Sequence, residues 1–89
     1  DLMVRKATAM FDAGEPCGAE ANMARLLSAE AAWNCAEACF STHGGFAFAR
    51  EYDIERKWRE SRLSRTAPIS PNLILSYIGQ HVLGMPRSY

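Results

Sequence analysis

From Cys17 to about Thr42 the chain contains no proline and, after Gly18, no glycine; Pro16 stands on one side of this stretch and Gly44-Gly45 on the other. Proline and glycine disfavour helix interiors more than any other residues, so their placement at the borders predicts one helix over about 17–42. Leu26, Trp33 and Phe40 recur every seven residues, with Met23 beside them. Leu27, Ala31, Cys35 and Ala38 form a neighbouring stripe of mostly small side chains, which lets a second backbone approach closely. Such a helix is expected to be packed on more than one side. It is also long for a chain of 89 residues.

The flanking segments read as helices too. Leu2, Met3, Ala7, Met10 and Phe11 have helical spacing, Gly14 can take a left-handed ending, and Pro16 forbids simple continuation, giving a helix over about 2–13. Phe46 to Tyr52 reads as an aromatic turn. Asp53 is placed to cap a helix over about 53–66, with Ile54, Trp58 and Leu63 as a thin apolar stripe among many charges. Pro68 closes it. Ser70-Pro71 opens a last helix over about 70–83: the serine hydroxyl caps, proline sits where its missing N–H is harmless, and Ile69 can staple to Ile74. Leu75, Ile78, Val82 and Leu83 continue the stripe until Gly84 and Pro86. No strand-like alternation and no internal repeat is present, so the expected class is all-α.

At 9.9 kDa the chain is one domain at most, and a chain this short buries only ~60–65% of its unfolded surface. It begins Asp1-Leu2-Met3, which reads as a piece of a longer polypeptide. Ten basic and ten acidic residues balance, which argues against nucleic acid or an anionic membrane as the main partner. No apolar run is long enough to span a bilayer and no secretory leader is evident at the start. Three cysteines are an odd number and suggest free thiols rather than a disulfide framework. Cys35, Cys39 and His43 share a helical face, but that face spans ~12 Å at 1.5 Å per residue. At most two of them could reach one ion, so no metal site is expected.

Charge is uneven: residues 1–45 hold three basic and six acidic groups, whereas 46–65 hold six basic and four acidic. The positive segment follows directly on Gly44-Gly45. Paired glycines allow a ligand to touch the backbone, and the capped start at Ser70, with Asn72, is a second place where an anion or polar ligand could bind. Each signal also has a plain structural meaning: a helix stop, a cap, a solvated face. His43 and His81 have no evident catalytic partner, and no nucleotide-loop, zinc-protease or nucleophile-elbow pattern occurs.

Asp12-Ala13-Gly14, Thr42-His43-Gly44-Gly45-Phe46-Ala47-Phe48, Glu51-Tyr52, Glu55-Arg56 and Arg59-Glu60, in this order and spacing, resemble the C-terminal helical domain of acyl-CoA dehydrogenases. The resemblance implies part of a four-helix bundle, left incomplete by these residues and making one domain over 1–89. It implies an FAD enzyme that removes hydrogens from the α and β carbons of an acyl-CoA thioester. The expected partners are neighbouring subunits of a homotetramer and an electron-transfer flavoprotein, in the cytoplasm or, in a eukaryote, the mitochondrial matrix.

The family's Gln-x-x-Gly-Gly segment contacts FAD bound mainly by a neighbouring subunit. Here Ser41 takes the glutamine position, ahead of Gly44 and Gly45. Many members carry Tyr-Glu-Gly-Thr before the last helix, the Glu being the catalytic base; the matching residues here are Ala67, Pro68, Ile69 and Ser70. Pro68 has no ionisable group, so no catalytic residue is expected within this chain. Ser70 and Asn72 fall where polar flavin contacts are usual. The base would then lie on an earlier helix of the domain. The alternatives are recruitment to another flavin reaction, loss of dehydrogenation, or, outside the family, a small helical interaction module without cofactor.

Overall fold

The computed structural model describes residues 1–87, and among them it contains helices and no strand. The helices are α1 (Leu2–Asp12), α2 (Gly18–His43), α3 (Ile54–Leu63) and α4 (Pro71–His81). Two short 3-10 turns, Gly44–Phe48 and Arg50–Tyr52, join α2 to α3. The expected aromatic turn is thus two tight turns, and the all-α class stands.

α2 is the axis on which the others lie. α1 folds back through a left-handed Gly14 (φ 72°), with Gly14 N–H donating to Phe11 and Glu15 N–H to Met10. This paired closure of the last carbonyls is the ending that glycine at this place permits. Lys6 then pairs with Glu20 across the hairpin at 3.0 Å. α3 runs antiparallel to α2, its Trp58 against Trp33 and Phe40 (ring centroids 5.3 and 5.6 Å) and its Arg62 over the Trp33 ring at 5.1 Å. The Trp58 Nε1–H donates to the Glu37 carboxylate at 2.7 Å. α4 is antiparallel as well. Arg25 reaches the Ala67 carbonyl oxygen before its start, and Tyr77 lies so close to Gly18 that a Cβ there would meet the tyrosine hydroxyl at 2.8 Å.

Four expectations need correction. Asp53 stands before α3 but does not cap it through its side chain; it is left-handed (φ 60°) and its carboxylate takes the Arg56 guanidinium at 3.1 and 3.2 Å. A charged fork offers that carboxylate a stronger partner than a backbone N–H does. α3 ends as an α-helix at Leu63 rather than near 66, passing into i→i+3 turns through Thr66, and Leu63 faces solvent at 65% exposure. α4 ends at His81, and Leu75, Val82 and Leu83 point outward; its inward residue is Ile74, 2% exposed. Finally, Leu27, Ala31, Cys35 and Ala38 are all exposed, so the small-residue stripe is uncovered.

The interior is correspondingly thin. Among the described residues only Ala24, Ala29, Ala47 and Ile74 are buried, while Leu2, Phe11, Phe46, Phe48 and others remain largely open to solvent. The accessible surface is 6536 Å², against ~5,200 Å² for a compact monomer of this mass. The radius of gyration is 16.4 Å, against ~12 Å for a compact domain of this length. With extents of 47 × 33 × 18 Å, the chain forms a slab about two helices thick.

The ion pairs carry a pH dependence. The Lys6 ammonium holds Glu20 below the usual carboxylate range, and the Arg56 guanidinium does the same for Asp53. A carboxyl depressed in the fold contributes stability above its unfolded pKa and loses it as pH falls through the folded value. The melting temperature is therefore expected to hold from neutral pH down to the usual carboxylate range and to fall below it. Asp53→Asn should flatten part of that acid limb in melts followed by circular dichroism, by a modest amount because the pair faces solvent.

Candidate functional site

The C-terminal end of α2 is shaped by its glycines. Gly44 has φ 55° and ψ −132°, a conformation open to glycine and strained for side-chain-bearing residues, and its N–H closes the helix on Phe40 and Ser41. The turn that follows drives Ala47 fully inside, at 0% exposure, while Gly44 and Gly45 stay exposed, with nothing beyond their immediate chain neighbours within 4 Å of where a Cβ would stand. The backbone here is bare and approachable. Ser41, one turn earlier, is also exposed.

Beside it, Phe46 and Tyr52 pack at 5.6 Å between centroids, and the Phe48 ring meets Phe40 edge-on at 4.9 Å. Phe46 and Phe48 remain 67% and 73% exposed, so the glycine turn sits in an aromatic rim. His43 points back along the helix. Its Nδ1 lies 2.9 Å from the Cys39 carbonyl oxygen, which can only accept, so Nδ1 carries the proton. With Nδ1 so engaged, the Cys39 thiol at 3.8 Å has no base to activate it there. Among the described residues no group of three metal-ligating side chains occurs.

The second group stands elsewhere. The Ser70 hydroxyl accepts from the Leu73 N–H at 3.4 Å and caps α4 as its sequence predicts, and Asn72 is exposed in the first turn. Arg25 fixes this corner by its hydrogen bond to Ala67. Arg25 and Gly44 lie on α2 about 19 residues apart, or ~28 Å at 1.5 Å per residue. Ser41, Gly44 and Gly45 are therefore gathered at one end of α2, and Ser70 and Asn72 lie toward the other. Pro68 belongs to the second group, exposed between Arg65 and Ser70.

Arg25 and Arg65 flank this corner and were not singled out by the sequence. The Nε of Arg65 is shielded from solvent without a hydrogen-bond partner. The arginine-rich α3 is mostly self-neutralised, with Arg56 bound to Asp53 and Glu60 and Arg59 to Glu55.

An all-α segment hung on one long helix, with an open glycine turn at one end and a capped helix start at the other, is part of a helical bundle. The family description "Acyl-CoA dehydrogenase, C-terminal domain" matches residues 1–68. The chain belongs to that family. It is 38% identical over 90 residues to acyl-CoA dehydrogenase FadE12 of Mycobacterium tuberculosis, covering 99% of this chain and 23% of the relative. It is 44% identical over 52 residues to a (2S)-methylsuccinyl-CoA dehydrogenase of Cereibacter sphaeroides, covering 58% and 10%. It is 36% identical over 62 residues to a 3-(aryl)acrylate reductase of Clostridium sporogenes, covering 70% and 16%. The chain thus spans at most about a quarter of the length of these relatives. No solved structure gives a significant match. Among the described residues no helix is long and apolar enough to cross a membrane.

Proposed function

We propose that the chain is the C-terminal helical part of an FAD-dependent acyl-CoA dehydrogenase, working within a longer polypeptide and a homo-oligomer, commonly a tetramer. The observation that carries this reading is the bare Gly44-Gly45 turn in a chain of this family. A dinucleotide needs close backbone approach, and nothing in the chain obstructs it there. Ser41 adds a hydroxyl that can donate one hydrogen bond. Ser70 keeps its O–H free to donate while its oxygen caps α4, and Asn72 offers an exposed amide. These residues fit the cofactor.

The separation along α2 gives the two groups different tasks. One end meets the cofactor held mainly by a neighbouring subunit, while Ser70 and Asn72 meet the one held by the chain's own polypeptide. The flavin, when bound, supplies the hydride acceptor for oxidation between the α and β carbons of the thioester. This chain orients and excludes water; it contributes no base, because Pro68 holds the family's common base position. The α proton is taken by a carboxylate on an earlier helix, and electrons leave to an electron-transfer flavoprotein. The large open apolar surface agrees with this, since Leu27 and Ala31 of α2 and Leu2 and Val4 of α1 border a groove of about 540 Å³.

A second reading, another flavin reaction on the same fold, is favoured by Pro68 and by the relative named as a reductase. The test of the main reading is purification of the full-length protein. It should be yellow, with near one flavin per subunit, and a short acyl-CoA should bleach it. A colourless protein that takes up no FAD would refute the proposal; a yellow one that no acyl-CoA bleaches would favour the second reading.

A further inference from the structure

From Gly44 to Ala49 the chain reads Gly-Gly-Phe-Ala-Phe-Ala, with no charge and no hydrogen-bonding atom in any side chain. Phe46 follows directly on the two glycines, and 67% of it faces solvent. The Tyr52 ring packs against it at 5.6 Å between centroids, tilted by 54°, and the His43 ring lies 6.3 Å from Tyr52 at 59°. Rings tilted in this way brace one another and leave the outer face of the last one free. His43 is itself fixed to the Cys39 carbonyl oxygen, so the row is anchored to α2. The Phe48 ring turns instead to Phe40, in the row that joins α2 to α3. Phe46 is thus held from behind and open in front, beside a backbone that nothing covers.

We infer that the open face of Phe46 stacks on the adenine ring of the dinucleotide, on the reading above in which the Gly44-Gly45 turn meets FAD. Stacking of a base on an aromatic side chain requires a flat exposed ring and no hydrogen-bond partner, which is what residues 44–49 offer. The flavin ring suits this surface less. One of its sides is lined with nitrogens and carbonyl oxygens that need donors and acceptors on leaving water, and the side chains of the turn supply none. An anionic group by itself would find no cation between Gly44 and Ala49.

The test uses the full-length protein, freed of flavin and titrated with FAD by calorimetry. Phe46→Ala should weaken FAD binding about five- to a hundredfold, the usual range for one base on one aromatic ring. Phe46→Leu should lose nearly as much, being apolar but not flat, whereas Phe46→Trp should keep the affinity. Unchanged affinity in Phe46→Ala overturns the inference. So does full affinity in Phe46→Leu, because Phe46 would then be apolar filling against a neighbouring subunit. If the alanine variant does not fold, the leucine and tryptophan variants decide between them. The visible absorption of the bound flavin tells which ring is stacked. An unchanged spectrum in Phe46→Trp is expected; a displaced flavin band would put the isoalloxazine on this residue and overturn the assignment to adenine. A full-length protein that takes up no FAD at all refutes the cofactor reading itself, a distinct result.

Discussion

Replacing Gly44 and Gly45 one at a time by valine is expected to separate folding from flavin binding. Gly44 sits at φ 55° and ψ −132°, where a β-branched residue is strained by about 1–3 kcal/mol. The turn must move to relieve that strain, and with it the fully buried Ala47. Gly44→Val should therefore lower the melting temperature and also release flavin. Gly45 has no left-handed requirement and open space around it. Gly45→Val should melt almost normally in the full-length protein yet hold FAD about ten- to a hundredfold more weakly, since its side chain blocks approach to the backbone. Equal flavin affinity in Gly45→Val and the unaltered protein would remove the glycine turn from the cofactor site.

Trp58→Ala should produce the largest loss of stability. Its ring lies against both Trp33 and Phe40, and its Nε1–H is bound to Glu37 at 2.7 Å. Truncation opens a gap between α2 and α3, strands the Glu37 carboxylate, and leaves Arg62 stacked on a less supported Trp33. Large aromatic truncations cost ~3–5 kcal/mol when fully buried. Trp58 is half-buried, so about 2–4 kcal/mol is expected, measured as a shift in denaturant midpoint. Trp58→Phe should recover most of the packing and lose the hydrogen bond, about 1 kcal/mol. If Trp58→Ala shifted the midpoint by less than the phenylalanine variant, the aromatic row would not be what joins the two helices.

Pairing of this kind explains why the fold was legible in some places and not in others. Helix borders were readable because their causes are local: Gly14 turning left-handed, Pro16 and Pro71, and the Ser70 cap all act within a few residues. Asp53 stands where the start of α3 was expected, though its carboxylate takes Arg56 rather than a backbone N–H. The borders that moved are the ends of α3 and α4, with the backbone after Leu63 passing into i→i+3 turns. The apolar pattern of α4 was misread for a related reason. Most of its positions are apolar, so periodicity alone did not show that Ile74 faces inward while Leu75, Val82 and Leu83 do not.

For the candidate site, the residue types and their family spacing pointed to Ser41, Gly44, Gly45, Ser70 and Asn72. Their arrangement had to come from the fold. Arg25 carried no signal in the sequence, and Arg65 entered only as one charge of the positive segment 46–65, whose plain meaning is a solvated face.

The amino-acid sequence by itself determined that the described residues form four α-helices, where those helices begin, and which family's pattern they follow, because backbone preferences and caps act over a single turn. Tertiary structure alone decided that the glycine turn and the capped start of α4 lie toward opposite ends of α2, and that Arg25 reaches across 42 residues to Ala67. Such contacts depend on how rigid rods are laid against one another. That relation is set by side chains meeting across elements, which the periodicity of a single helix does not encode.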